Sequence, residues 1–108
     1  MRWTVQYDYL VERRIAEFWA ASADRAAMSE ALDDLDVRLQ REPLRTGFPY
    51  DEADPPESAV LDIAFRMNRL PENLRVARAG RLRVAFSVHV DDRTVVVWTA
   101  YEATFDEL

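Results

Sequence analysis

Four arginines, Arg75, Arg78, Arg81 and Arg83, fall within nine residues with no acid among them. A guanidinium is permanently charged, and its planar fork matches phosphate oxygens. The run therefore suits an anion, or negative charge developing in a reaction. Two groups able to move protons follow, His89 and Tyr101. Cleavage of RNA by its own 2′-hydroxyl needs a base, a leaving-group acid and cations. Arg83 and Arg78 are the candidate cations, with Tyr101 or His89 as proton carrier.

Other chemistries find little support. There is no Cys and one His, so neither thiolate chemistry nor a His-rich metal site is available. Asp33, Asp34 and Asp36 are close in sequence, but a helix turns ~100° per residue and spreads them around its surface. They read as a solvated helix face. No glycine-rich phosphate loop or nucleophile motif occurs. No metal or cofactor is expected.

The arginine run is unusual for its context. The 108 residues carry a net charge of −6, and every basic residue is Arg. Residues 24–62 hold eleven acids against four arginines, whereas residues 73–90 hold four arginines and no acid. Residues 91–108 return to five acids against one arginine. An acidic chain approaches a polyanion only through such a segregated patch. The length and 49% hydrophobic content fit one globular domain over residues 1–108. No charged-then-apolar leader and no apolar run near ~18 residues occurs, so a cytoplasmic protein without membrane contact is expected.

The elements that would position these residues follow from periodicity. "RWTVQY" (2–7) alternates and reads as a strand. From Asp8, Val11, Ile15, Phe18 and Trp19 recur on one helical face. Ser22 or Asp24 then caps a second helix running to about Arg41, with a stripe of Met28, Leu32, Leu35 and Leu39. Pro43 ends it, making a helical hairpin. Residues 43–56 carry four prolines and read as loop. Residues 56–71 read as a third helix or as an extended segment; Pro56 at the first position and Arg66 and Arg69 near the end fit the helix.

Residues 73–78, 81–90 and 94–101 read as three strands in a meander. In the middle strand, Leu82, Val84, Phe86, Val88 and Val90 point toward a core. Arg81, Arg83, Ala85, Ser87 and His89 point to a polar, open face. A three-residue "DDR" loop pairs Val90 with Thr94 and Arg83 with Tyr101, and sets Trp98 opposite Phe86 in the core. A two-residue turn would send the last strand's side chains to the other face. The expected fold is α+β: a small antiparallel sheet with a helical hairpin on one face, in the order β-α-α-(α)-β-β-β.

Two stretches carry a family resemblance: "WTVQY" leading into "IAEFWAASADRAAMSEALDDLDVRLQREPLRTG", and "RAGRLRVAFSVHVDDRTVVVW". Their order and spacing resemble the RelE/ParE superfamily of toxins from type II, plasmid-stabilisation-like toxin–antitoxin pairs, over roughly residues 2–50 and 73–101. The resemblance implies an antitoxin protein whose segment wraps the helices and sheet. It implies either messenger RNA cleavage on the ribosome or blockade of DNA gyrase. Arg83 matches the family's middle-strand arginine, used on phosphate in the ribonuclease branch. Arg78 matches the arginine before the glycine, and Tyr101 lies near the position of a catalytic Tyr or His. The chain departs from that branch in its acidic end, "EATFDEL", and in having no His near Tyr101. Residues 51–71 have no counterpart. These features favour antitoxin binding over ribonuclease chemistry. A non-toxic binding module of the same fold and an α+β homodimer are the competing readings.

Overall fold

A computed structural model describes residues 2–49 and 74–102. The expected segment at 56–71 and the acidic end beyond Glu102 lie outside the described residues. The chain runs β1 (Thr4–Tyr7), α1 (Tyr9–Ala21), α2 (Arg25–Arg41), a short 3-10 turn (Pro43–Arg45), β2 (Phe48–Pro49), β3 (Arg75–Ala79), β4 (Leu82–His89) and β5 (Thr94–Glu102). These strands form one sheet in the order β1-β5-β4-β3-β2. The α+β class and the helical hairpin are as expected.

Both helices begin where side chains replace missing backbone partners. Asp8 accepts from the Leu10 amide, and Asp24 from the Ala27 amide. The second helix stops at Arg41; Pro43 then opens the 3-10 turn. Thr46 ties this corner by donating its hydroxyl to the Glu42 carbonyl at 2.7 Å. Gly47 follows with φ +69°, a backbone region costly for other residues.

Three features differ from the sequence reading. First, β1 pairs in parallel with β5, Thr4 opposite Thr94 through Tyr7 opposite Val97, so the sheet is mixed rather than wholly antiparallel. Periodicity shows that a strand exists, not its direction. Second, Phe48–Pro49, read as loop, adds a short edge strand on β3. Third, the last hairpin is not joined by a three-residue loop. His89, not Val90, pairs with Thr94, so residues 90–93 form the connection and Val90 is 58% exposed. Arg93 there adopts φ +49° and lies 4.6 Å over the Trp3 ring.

The core lies between the helices and one sheet face. Val11, Leu35 and Leu39 meet Leu82, Val84, Phe86 and Val88 of β4 and Val95, Val97 and Ala100 of β5. Burying side chains of this size stabilises by roughly 1.5–3 kcal/mol each. The alternation expected for β4 therefore holds on its apolar side. On α1 only Val11 is fully buried; Ile15 and Phe18 are half-buried. Trp19, expected on the same apolar face, is 39% exposed and donates its indole N–H to Ser29 Oγ at 2.7 Å.

Candidate functional site

β4 and its neighbours bring the three candidate residues into one row. Arg78 on β3 sits opposite Arg83 on β4, and Arg83 sits opposite Tyr101 on β5. Directly opposed residues share a face, with Cβ atoms ~5 Å apart. Tyr101 packs with Leu74, Val76 and Ala85, away from the helices. The Arg83–Tyr101 pairing is the one expected, but it arises by a different route.

That route is a β-bulge. From His89 opposite Thr94 to Phe86 opposite Val97 the ladder runs in one register. At Ala85 it resumes opposite Thr99, which leaves Trp98 without a partner. Strict alternation from Val97 would send Tyr101 to the helix side. The extra residue reverses this: Ala100 joins Val97 in the core, and Tyr101 turns to the second face beside Arg83. Trp98, expected opposite Phe86 in the core, instead packs on the second face.

The second face is not open. Ala85 and Ser87 are fully buried, Arg83 is 5% exposed and Tyr101 6%. Of the β4 residues expected to be solvated, His89 is the exposed one. Arg83 fits in this setting because its Nη1 donates to the Gly80 carbonyl at 2.8 Å and the Leu82 carbonyl at 3.1 Å. A buried guanidinium requires such acceptors. Arg75 is likewise engaged with its own backbone, Nε to the Thr46 carbonyl at 3.0 Å and Nη2 to the Gly47 carbonyl at 2.9 Å. Arg78 is exposed, and its guanidinium stands 5.8 Å over the Phe48 ring. Arg81, in the β3–β4 turn, is exposed as well. The cationic run thus divides into two arginines that brace loops and two that meet solvent.

His89 lies six residues along β4 from Arg83, about 20 Å at ~3.3 Å per residue. The two cannot act on one phosphate. His89 belongs to a separate network: Trp98 Nε1 donates to Ser87 Oγ at 2.8 Å, and Ser87 Oγ lies 2.8 Å from His89 Nε2. An indole N–H only donates, so Ser87 Oγ accepts from Trp98, and the direction of its bond to His89 Nε2 follows the imidazole tautomer. Sequence reading missed this network because the four-residue connection at 90–93, which turns Trp98 to the face of Ser87, is not marked in "VDDRT".

It also missed a polar cluster at the base of the helical hairpin. Tyr7 donates its phenol to Asp36 Oδ1 at 3.0 Å, and Gln40 Nε2 donates to Asp36 Oδ2 at 2.6 Å. Asp36 is therefore a bound carboxylate rather than part of a solvated face. Burial, and then the Asp36 and Glu12 carboxylates, push the Tyr7 phenol well above its usual range. Alternation of "TVQY" with an aspartate at the right turn of α2 was the available signal, but it needs the tertiary pairing to be read. No group of acids and histidines among the described residues is arranged to hold a metal. No helix among them is long and apolar enough to cross a membrane.

No protein-family model matches the chain, and no curated protein matches it. A solved structure does: a chain of the toxin–antitoxin complex RelBE2 from Mycobacterium tuberculosis. The identity is 18%, the TM-score 0.59, and the match covers 94% of this chain and 92% of that one. Coverage is nearly complete on both sides, so the likeness concerns the whole architecture. The chain has a RelE-like α+β fold.

Proposed function

We propose that the chain is the toxin component of a type II toxin–antitoxin pair, which binds a cognate antitoxin and inhibits a core process, translation or DNA gyrase. The observation that carries this reading is the RelE-like fold shared along nearly the whole chain with a member of a toxin–antitoxin complex. The helical hairpin supports it. Ile15, Phe18 and Leu32 are only half-buried against the core, and Tyr9, Leu10 and Trp19 are exposed. A helix or strand of a partner would cover such a surface. Expression in a bacterium tests the reading. Induction of the chain alone arrests growth, and co-expression of the short reading frame adjoining its gene restores it. Unimpaired growth with the folded chain present would reduce it to a non-toxic binding module of the same fold.

A second reading, a messenger RNA endonuclease, draws on the Arg78–Arg83–Tyr101 row. In it Arg78 and Arg83 neutralise the phosphate and Tyr101 moves the proton. Burial of Arg83 and Tyr101, and the bonds of Arg83 to its own turn, favour the binding reading over this one. Growth arrest that persists undiminished in folded Arg83→Ala would remove the cleavage reading.

A further inference from the structure

Between α1 and α2, above Tyr7, lies a cleft of about 280 Å³. Ile15 and Leu32 give it apolar walls, and Glu12, Asp33 and Asp36 give it three carboxylates. Among the described residues no cation pairs with these acids. Arg13, next to Glu12, reaches Glu17 instead, and Arg38 reaches Asp34. Asp36 is held by two neutral donors, Tyr7 and Gln40, which fix its position without cancelling its charge. The cleft therefore combines a half-buried apolar slot with an uncompensated negative rim. Its complement is a side chain with a long apolar stem and a cationic head.

We propose that this cleft receives an arginine side chain from a basic segment of the partner protein, its stem against Ile15 and Leu32 and its guanidinium among Glu12, Asp33 and Asp36. This rests on the toxin–antitoxin reading for the partner's existence and adds the chemistry by which that partner is selected. Arginine suits the site better than lysine. Its planar fork can engage carboxylates from two helices at once, and it is less costly to desolvate. The charge is also of the right sign for selectivity: an acidic toxin steers a basic segment and repels an acidic one.

The test uses n-propylguanidinium, the arginine side chain as a free molecule, and n-propylurea, its uncharged counterpart. Each is titrated into the full chain while the Ile15 and Leu32 methyl resonances are followed. Propylguanidinium shifts both saturably, with a Kd on the order of millimolar for so small a ligand. Propylurea binds at least about 5-fold more weakly, as does propylguanidinium to the Glu12→Gln, Asp33→Asn variant. Both substitutions are at exposed positions, and unchanged resonances elsewhere would show that the variant is folded. Non-saturating shifts, equal binding of the urea, or undiminished binding by the variant would overturn the proposal. Shifts of the same methyls on concentrating the chain alone would assign the cleft to a second copy and overturn the partner assignment. A chain that captures its partner but ignores propylguanidinium keeps its proposed function and loses only this inference.

Discussion

Arg83→Ala separates a bracing role from a chemical one. The Arg83 guanidinium donates to the Gly80 and Leu82 carbonyls, and its side chain is almost wholly buried. Gly80 is exposed, so water replaces the lost donor there; the bond to the Leu82 carbonyl is buried, and water does not replace it. A hydrogen bond from a charged donor contributes ~1.5–3 kcal/mol. Loss of the buried one therefore costs about 2–3 kcal/mol. With a urea m-value of ~1–3 kcal/mol/M for a small domain, the midpoint falls by roughly 1–2 M. Arg78→Ala is the control. It is exposed and stands over Phe48, a contact worth ~0.5–1 kcal/mol, so its midpoint moves by less than half as much. Urea unfolding followed by tryptophan fluorescence reads both. Equal midpoints for Arg83→Ala and the unmodified chain would refute the bracing role.

Four further outcomes follow. Gly47→Ala destabilises by at least ~2 kcal/mol, a fall in Tm of about 10 °C, because φ is +69° and the new Cβ would lie 2.0 Å from the Val76 carbonyl oxygen; a fall under 3 °C, on the same ~2 kcal/mol scale, would contradict this. Leu39→Ala opens a cavity in the core and costs ~2–5 kcal/mol by chemical denaturation. Trp98→Phe keeps an aromatic ring but removes the donor to Ser87 and part of the side chain's bulk, costing at least about 1 kcal/mol. For Tyr7 the folded pKa lies above the unfolded value near 10, so its contribution is complete below about pH 10 and is lost as pH rises toward the folded value. Tyr7→Phe flattens that part of the stability profile, which denaturation between pH 9 and 11 would show on this ~10 reference scale.

Parts of the fold are legible in the sequence because one local rule decides them. Asp24 caps α2 since a short carboxylate before an amphipathic run has an amide to accept from. Leu82, Val84, Phe86 and Val88 turn inward because the strand period is two and the helices cover that side. The second face was misread because arginine was equated with solvent. Arg83 lies within reach of carbonyls in its own turn, so burial leaves it satisfied, and the sequence carries no sign of that choice. The bulge at Trp98 is equally silent, since each residue of "TVVVWTAY" suits a strand on either face. The Arg83–Tyr101 pairing survives because the longer connection at 90–93 and the bulge shift the register by one residue each, in opposite senses. The Tyr7–Asp36–Gln40 cluster joins residues 29 apart, beyond any local pattern.

Binding of a partner is the claim on which the functional account depends, and the mass of the co-expressed material tests it most directly. The tagged chain, produced together with the product of the short reading frame beside its gene, is passed over a sizing column with light-scattering detection. A stoichiometric complex whose mass exceeds that of the chain by whole partner copies, and which persists through dilution, is the predicted result. Elution of the folded chain with no such partner bound would contradict it.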